Sequence, residues 1–292
     1  MVMPDFTYLR PGSLADAFAF AARLGADAAF IAGGTELIPD FHRERESARH
    51  LIALDGIGEL SGIAEVRGDL RIGALTTVAD VAASPLVRQR LVALADAARA
   101  IGSAQIRSLA TIGGNFCRAV ACADTPPAAI SGGARVHIIG VTGTRELAAE
   151  EFFLGPRRTV LLPGEVLAAI TLPAQPQGSA SSYQRFSRRK GSSLAVAAVA
   201  VRLTLTGGRI MGARLALGAV GPVPLLVTRA AELLEGERPS LALFTKAGAL
   251  CADEALPISD VRGSADFRRT LVRVLTGRAL QEAAARAAGE PS

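Results

Sequence analysis

Apolar residues recur at helical spacing near the start of the chain, where Leu14, Ala17, Phe18, Ala21 and Leu24 share one face behind the capping-box sequence Ser13-Leu14-Ala15-Asp16. Gly25 supplies a stop, so the pattern predicts an amphipathic helix of about three turns. Short apolar runs at 28–31 and 50–54 read as strands on either side of Ala32-Gly33-Gly34-Thr35. The opening residues therefore form a small strand–helix–strand unit.

Further along, Leu70-Arg71-Ile72-Gly73 alternates like a strand, 86–100 has helical period, and 135–139 is a second strand. Between them, 101–127 is rich in Gly, Ser, Thr and Asn and reads as loops or short turns packed against a helix. Strand character resumes over 152–172 on both sides of Pro163-Gly164, and 173–182 reads as a linker. Beyond it, 193–205 and 209–217 are apolar runs joined by Thr206-Gly207-Gly208, a hairpin turn suited to glycine's tolerance of positive φ. Residues 228–234, 241–255 and 264–288 are helical by composition and spacing. This predicts an α+β chain of two domains, 1–177 and 178–292, the second an antiparallel sheet covered by helices.

The length of 292 residues fits such a division, and a composition that is 50% apolar and 20% charged supports packed cores rather than disorder. No apolar run approaches the ~18 residues of a membrane span; the one at 195–201 ends at Arg202. The first residues lack a basic stretch backed by an apolar one, which points to the cytoplasm. Three cysteines, at 117, 122 and 251, make no disulfide framework, and Cys117 and Cys122 have no histidine company for a metal, so no metal ligand is assigned. The net charge of +5 rests on thirty arginines and two lysines. With no Trp and two Tyr, the aromatic-interleaved basic stripe of a nucleic-acid binder is missing.

Gly56-Ile57-Gly58-Glu59-Leu60-Ser61 lacks the third glycine of a dinucleotide fingerprint, and neither a P-loop nor a nucleophile elbow occurs. His42, His50 and His137 stand apart from any nucleophile and carboxylate, and no catalytic acid, base or nucleophile is assigned. What remains is a pair of double-glycine segments, Ile31-Ala32-Gly33-Gly34-Thr35-Glu36-Leu37 and Thr111-Ile112-Gly113-Gly114-Asn115. Consecutive glycines let backbone N–H groups converge on phosphate oxygens, and Thr35, Thr111 and Asn115 add side-chain hydrogen bonds. Two segments of one build suggest one ligand between them; singly, each would serve as a tight turn.

These segments, with Gln105-Ile106-Arg107-Ser108-Leu109-Ala110 before the second and Cys122-Ala123-Asp124-Thr125-Pro126-Pro127 after it, resemble the FAD-binding medium subunits of molybdenum hydroxylases, the xanthine and carbon monoxide dehydrogenase family. Leu162-Pro163-Gly164-Glu165-Val166-Leu167 and Phe267-Arg268-Arg269-Thr270-Leu271 continue the resemblance in order. It implies a PCMH-type, vanillyl-alcohol-oxidase-like FAD-binding fold with two α/β subdomains, about 1–57 and 58–177, before the C-terminal domain. It also implies that Ile31 to Leu37 and Thr111 to Asn115 wrap the FAD pyrophosphate and that Asp124 accepts from a ribose or ribityl hydroxyl, a role that competes with a turn ahead of Pro126. Leu167 would touch the cofactor or serve the core. In Tyr183-Gln184-Arg185-Phe186-Ser187-Arg188-Arg189-Lys190, either Gln184 or Lys190 would approach the flavin.

The function implied is electron transfer from the [2Fe-2S] clusters of a small partner subunit, reduced by a large molybdopterin subunit, through FAD to NAD, a quinone or oxygen. The implied assembly is a dimer of heterotrimers. A stand-alone FAD oxidase and a flavin-free assembly subunit are the competing readings; the first lacks a cap domain here, and intact glycines in both segments oppose the second.

Overall fold

The computed structural model of the chain describes residues 5–189 and 191–289. The N-terminal unit comprises β1 (Thr7–Leu9), α1 (Leu14–Leu24), β2 (Ala28–Ile31), α2 (Leu37–His42) and β3 (His50–Ala53), with its strands parallel in the order β1, β3, β2. α1 forms as its spacing predicts: the Ser13 hydroxyl accepts from the Asp16 N–H at 3.1 Å, Leu14, Ala17 and Phe18 are buried, and Gly25 ends it at a φ of 57°.

The middle unit runs β4 (Ile63–Val66), β5 (Asp69–Gly73), α3 (Val78–Ala83), α4 (Pro85–Arg90), α5 (Val92–Ala100), α6 (Ala104–Leu109), α7 (Ile112–Cys117), α8 (Thr125–Ser131), β6 (Arg135–Gly140), β7 (Gly143–Ala148), β8 (Phe153–Gly155), β9 (Arg158–Thr159) and β10 (Val166–Leu172). Its main sheet has the order β4, β5, β10, β6, β7, and β8 pairs with β9 in a separate two-stranded sheet. Two expectations change here. The helical period over 86–100 resolves into two helices, because Leu91 adopts φ −157° and ψ 86° and breaks the run. The stretch 101–127 is not a loop system: Ser103 and Thr111 cap α6 and α7 through their side chains, and Pro126 and Pro127 sit in the first turn of α8, where a missing N–H costs nothing.

The C-terminal unit consists of β11 (Ser179–Ser187), β12 (Ala195–Thr206), β13 (Arg209–Gly218), β14 (Leu225–Val227), α9 (Thr228–Leu234), α10 (Leu241–Glu254) and α11 (Ala265–Ala287). β11 begins inside the stretch read as a linker, which shortens that linker. The turn between β12 and β13 places Gly207 and Gly208 at φ 59° and 72°, as a two-residue hairpin requires. β12 is buried on both faces, and its alternation sorts residues by size. Ala197, Val199, Val201 and Leu203 meet the helices, whereas Ala198 and Ala200 join the middle unit's core, as does Ala195 beyond the irregularity in the β11–β12 register. That second face is alanine-rich because α8 lies against it; a Cβ on Gly218 would stand 3.0 Å from the Pro127 ring.

The close approach makes the alanine face intolerant of added volume. Ala198→Leu is expected to destabilise the chain by about 1–3 kcal/mol through overpacking. Chemical denaturation checks this; an unchanged midpoint would show that the contact yields without cost.

Candidate functional site

A cleft of about 510 Å³ opens where the three units meet. The N-terminal unit contributes the segment after β2, from Ile31 to Leu37. The middle unit contributes Thr111, Gly113, Gly114 and Asn115, with Asp124 and Leu167, and the C-terminal unit contributes Ser192, Ser193 and Leu194. The structure thus brings both glycine segments to one cavity, except Ile112, whose apolar side chain is fully buried in the core instead. Lys190 lies outside the described residues.

Gly33 fixes how near the segments come. A Cβ there would stand 1.8 Å from the Leu109 carbonyl oxygen, two residues before Thr111, so no other residue lets this loop rest on the end of α6. Gly34 follows at a φ of 67°, a left-handed turn that starts α2. Gly113 has the same constraint on its other side, where a Cβ would meet Ala74 at 2.6 Å. α7 is anchored by Phe116, which is fully buried and packs 5.7 Å from Phe153, itself edge-on to Phe152.

The two segments differ in what they offer a ligand. In the second, the Ile112 and Gly113 N–H groups donate to the Thr76 and Ala74 carbonyls, the Gly114 N–H to the Thr111 hydroxyl and the Asn115 N–H to the Thr111 carbonyl. It is the first turn of a helix with its donors already used. In the first segment, among the described residues, no acceptor takes the N–H groups of Gly33, Gly34, Thr35 or Glu36. An anionic group seated there would satisfy them. From the second segment, the Thr111 backbone N–H and hydroxyl proton and the Asn115 side-chain N–H remain, since Asn115 Oδ1 already accepts from the Thr125 hydroxyl at 2.6 Å.

Charged groups tie the walls together. Arg118, one residue past α7, pairs with Asp40 at 2.5 Å and Glu36 at 3.2 Å, and Arg157 reaches Asp40 at 3.1 Å. Burial alone would raise the Asp40 carboxyl, but the two guanidinium groups outweigh it and hold it below the usual 3.8. Deeper in the cleft, Asp124 accepts from the Tyr183 phenol at 2.6 Å and from Arg185 Nη1 at 2.9 Å on both oxygens. Burial pushes this carboxyl up despite Arg185 and the Tyr183 hydrogen bond. Arg185 also donates to the Ser193 carbonyl at 2.8 Å, so it joins Asp124 to the C-terminal wall. Cys117 is reached from the cleft yet crowded by protein atoms, and burial pushes its thiol up to about 12.

Strand alternation sorts the residues of β11 at the start of the basic tract. Tyr183 and Arg185 face Asp124, whereas Gln184 points the opposite way and donates to Glu282 of α11 at 2.6 Å. Sequence reading missed Arg118, which lines the cleft, and Tyr183 and Arg185, which hold Asp124; the period-2 alternation of β11 was the signal for the last two. Among the described residues, no group of three or more His, Cys, Asp or Glu is placed to hold a metal ion, and no helix is long and apolar enough to cross a membrane.

Comparison with known proteins accords with this geometry. A family described as the FAD binding domain in molybdopterin dehydrogenase matches residues 4–175, and the CO dehydrogenase flavoprotein C-terminal domain matches 181–283. The chain is 36% identical to the carbon monoxide dehydrogenase medium chain of Afipia carboxidovorans, covering 98% of this chain and 99% of that one. It is 30% identical to the putative xanthine dehydrogenase FAD-binding subunit of Escherichia coli K12, over 99% of both. The crystal structure of a cyanide-inactivated Cu,Mo-CO dehydrogenase superposes with a TM-score of 0.94 at 36% identity, covering 98% of this chain and 100% of that one. Quinoline 2-oxidoreductase from Pseudomonas putida 86 superposes at 0.92 and 31%, covering 98% and 99%.

The Asp40 cluster yields a signed prediction. Its lowered titration contributes stability above about pH 4 that is lost as pH falls through the lowered value. Asp40→Asn, which leaves Arg118 only the exposed Glu36 as a carboxylate partner, is expected to cost about 3 kcal/mol at pH 7, with the gap to the parent chain narrowing below pH 4. Denaturation across pH measures it; a pH-independent gap would remove the ion pairs from the account.

Proposed function

The chain belongs to the FAD-binding medium subunits of the molybdenum hydroxylases, and from that premise we propose how its cleft serves electron transfer. The free N–H groups of Gly33, Gly34, Thr35 and Glu36 would hold the FAD pyrophosphate, with the Thr111 hydroxyl and the Asn115 amide completing the shell. Ile31, Ala32 and Leu37 would frame that loop, and Ile112, Gly113 and Gly114 would carry the opposite wall. Asp124, fixed by Tyr183 and Arg185, would accept from a ribose or ribityl hydroxyl, and Leu167, buried in β10, would supply apolar contact. The residues fit the group: the cradle has unspent donors, close-approach glycines and apolar walls such as Phe30, Leu75 and Val166. When bound, FAD supplies the redox chemistry, taking up electrons singly and releasing them as a pair. The protein orients it, hydrogen-bonds it and keeps it between three units.

In this reading the chain is the middle carrier of a complex, with [2Fe-2S] clusters on a small subunit and the molybdopterin cofactor on a large one. We place it in a dimer of heterotrimers in the cytoplasm, where its free cysteines Cys117, Cys122 and Cys251 stay reduced. The division near residue 177 separates the flavin cradle from a C-terminal unit that closes the cleft through Ser192 to Leu194. An external acceptor, NAD, a quinone or oxygen, removes the electrons.

The observation that carries this proposal is the row of unspent N–H donors beside Gly33. The purified chain saturated with FAD is expected to retain about one flavin per chain after gel filtration, read from its visible spectrum. Gly33→Ala, which drives the loop off the Leu109 carbonyl, is expected to lose at least ten-fold in FAD affinity. A parent chain that retains no flavin would sink the proposal, and flavin reduction by a simple alcohol without partner subunits would favour a stand-alone oxidase.

A further inference from the structure

The lining of the cleft carries three carboxylates, Glu36, Asp124 and Glu165, and, among the described residues, one basic side chain, Arg118. Two of the carboxylates have arginines from behind the lining: Arg185 holds Asp124 at 2.9 Å and Arg145 holds Glu165 at 2.7 Å. The third, Glu36, belongs to the loop whose N–H groups lack acceptors, and its partner is Arg118 at 3.2 Å. A carboxylate in that loop repels any dianion seated on the N–H groups, so a neighbouring cation has to cancel it.

Arg118 is only loosely committed to its present partners. On Asp40 it shares Oδ2 with Arg157, at 2.5 Å and 3.1 Å, while the buried Oδ1 has no partner. Two guanidinium groups therefore serve one buried carboxylate, and Arg157 alone can balance it. The side chain of Glu36 is 59% exposed, so water and salt weaken the other pair. Arg118 Nε and Nη2 are within ion-pair range of these oxygens but make no aligned hydrogen bond, although both atoms are buried. A guanidinium with unaligned N–H groups, beside a row of backbone donors without acceptors, suits the paired oxygens of a phosphate. The same wall with a neutral residue at 118 would keep every backbone donor and lose the charge.

We propose that Arg118 is a cofactor-binding residue of this chain, the counter-charge of the FAD pyrophosphate, which its guanidinium meets in exchange for its present carboxylate contacts. This rests on the proposed function, which seats the pyrophosphate at Gly33 to Glu36, and it adds the charge that the backbone donors do not supply. Riboflavin, which has no phosphate, gains nothing from Arg118. Glu36 works against the cofactor: its carboxylate competes with the pyrophosphate for the same guanidinium, while Arg157 stays on Asp40.

Fluorescence titration of FAD and of riboflavin into the flavin-stripped full chain tests this without turnover. Arg118→Gln is expected to weaken FAD by about ten-fold or more and to leave riboflavin within about two-fold of the parent. Glu36→Gln, a change at an exposed side chain, is expected to tighten FAD by at least about two-fold with riboflavin unchanged, and it carries the test if Arg118→Gln does not fold. Arg157→Gln takes the other guanidinium from Asp40 at a position outside the cleft lining, and is expected to bind FAD within about two-fold of the parent. Unchanged FAD affinity in Arg118→Gln, equal weakening of FAD and riboflavin there, or equal weakening of FAD in Arg157→Gln would overturn the proposal. So would FAD affinity that is unchanged or weaker in Glu36→Gln. The parent separates the two levels: if it binds no FAD the proposed function fails, and if it binds FAD no better than Arg118→Gln does, only the role of Arg118 fails.

Discussion

The contact between Gly33 and the Leu109 carbonyl is the constraint on which the site depends. With 1.8 Å between that oxygen and where a Cβ would sit, the loop after β2 rests directly on the end of α6. This contact holds the loop against the second segment at the cleft, where the backbone N–H groups from Gly33 to Glu36 have no acceptor among the described residues. The opposite wall is made differently: its glycines serve packing, Gly113 against Ala74, while its helix-turn N–H groups are used within the protein. Two segments that look alike in sequence therefore divide the work, one offering donors and the other offering shape with a hydroxyl and an amide.

Charge then holds the walls in register. Arg118 and Arg157 converge on the buried Asp40, tying the residues after α7 and the β8–β9 hairpin to α2. Arg185 does the same on the C-terminal side, joining Asp124 to the Ser193 carbonyl. Each network spans two packed units, so the cleft is a product of their docking and belongs to none of them alone. The alanine face of β12 lets the C-terminal sheet come close enough for Arg185 and Tyr183 to reach Asp124.

Much of this was legible in the sequence. The periodicity of α1, the β12–β13 hairpin with Gly207-Gly208 and the two glycine segments are local signals, and the chain resolves them locally. The helices α6 to α8 were not legible, because a Thr111 or Ser103 cap outweighs the helix-breaking character of glycine only when the helix is short and packed, as Phe116 makes α7. Arg118 was missed because its partners, Glu36 and Asp40, lie about eighty residues away and no periodicity announces them. Tyr183 and Arg185 were hidden by reading 173–182 as a linker; with β11 starting at Ser179, alternation sends Arg185 to Asp124 and Gln184 to Glu282.

Amide hydrogen exchange, compared between the FAD-free and FAD-saturated chain, tests the division of labour between the two segments most directly. The account predicts fast exchange at Gly33, Gly34, Thr35 and Glu36 that slows strongly when FAD is added, with Ile112 to Asn115 already protected without it. Exchange at 33–36 that is insensitive to FAD, or a gain in protection confined to 112–115, would contradict it.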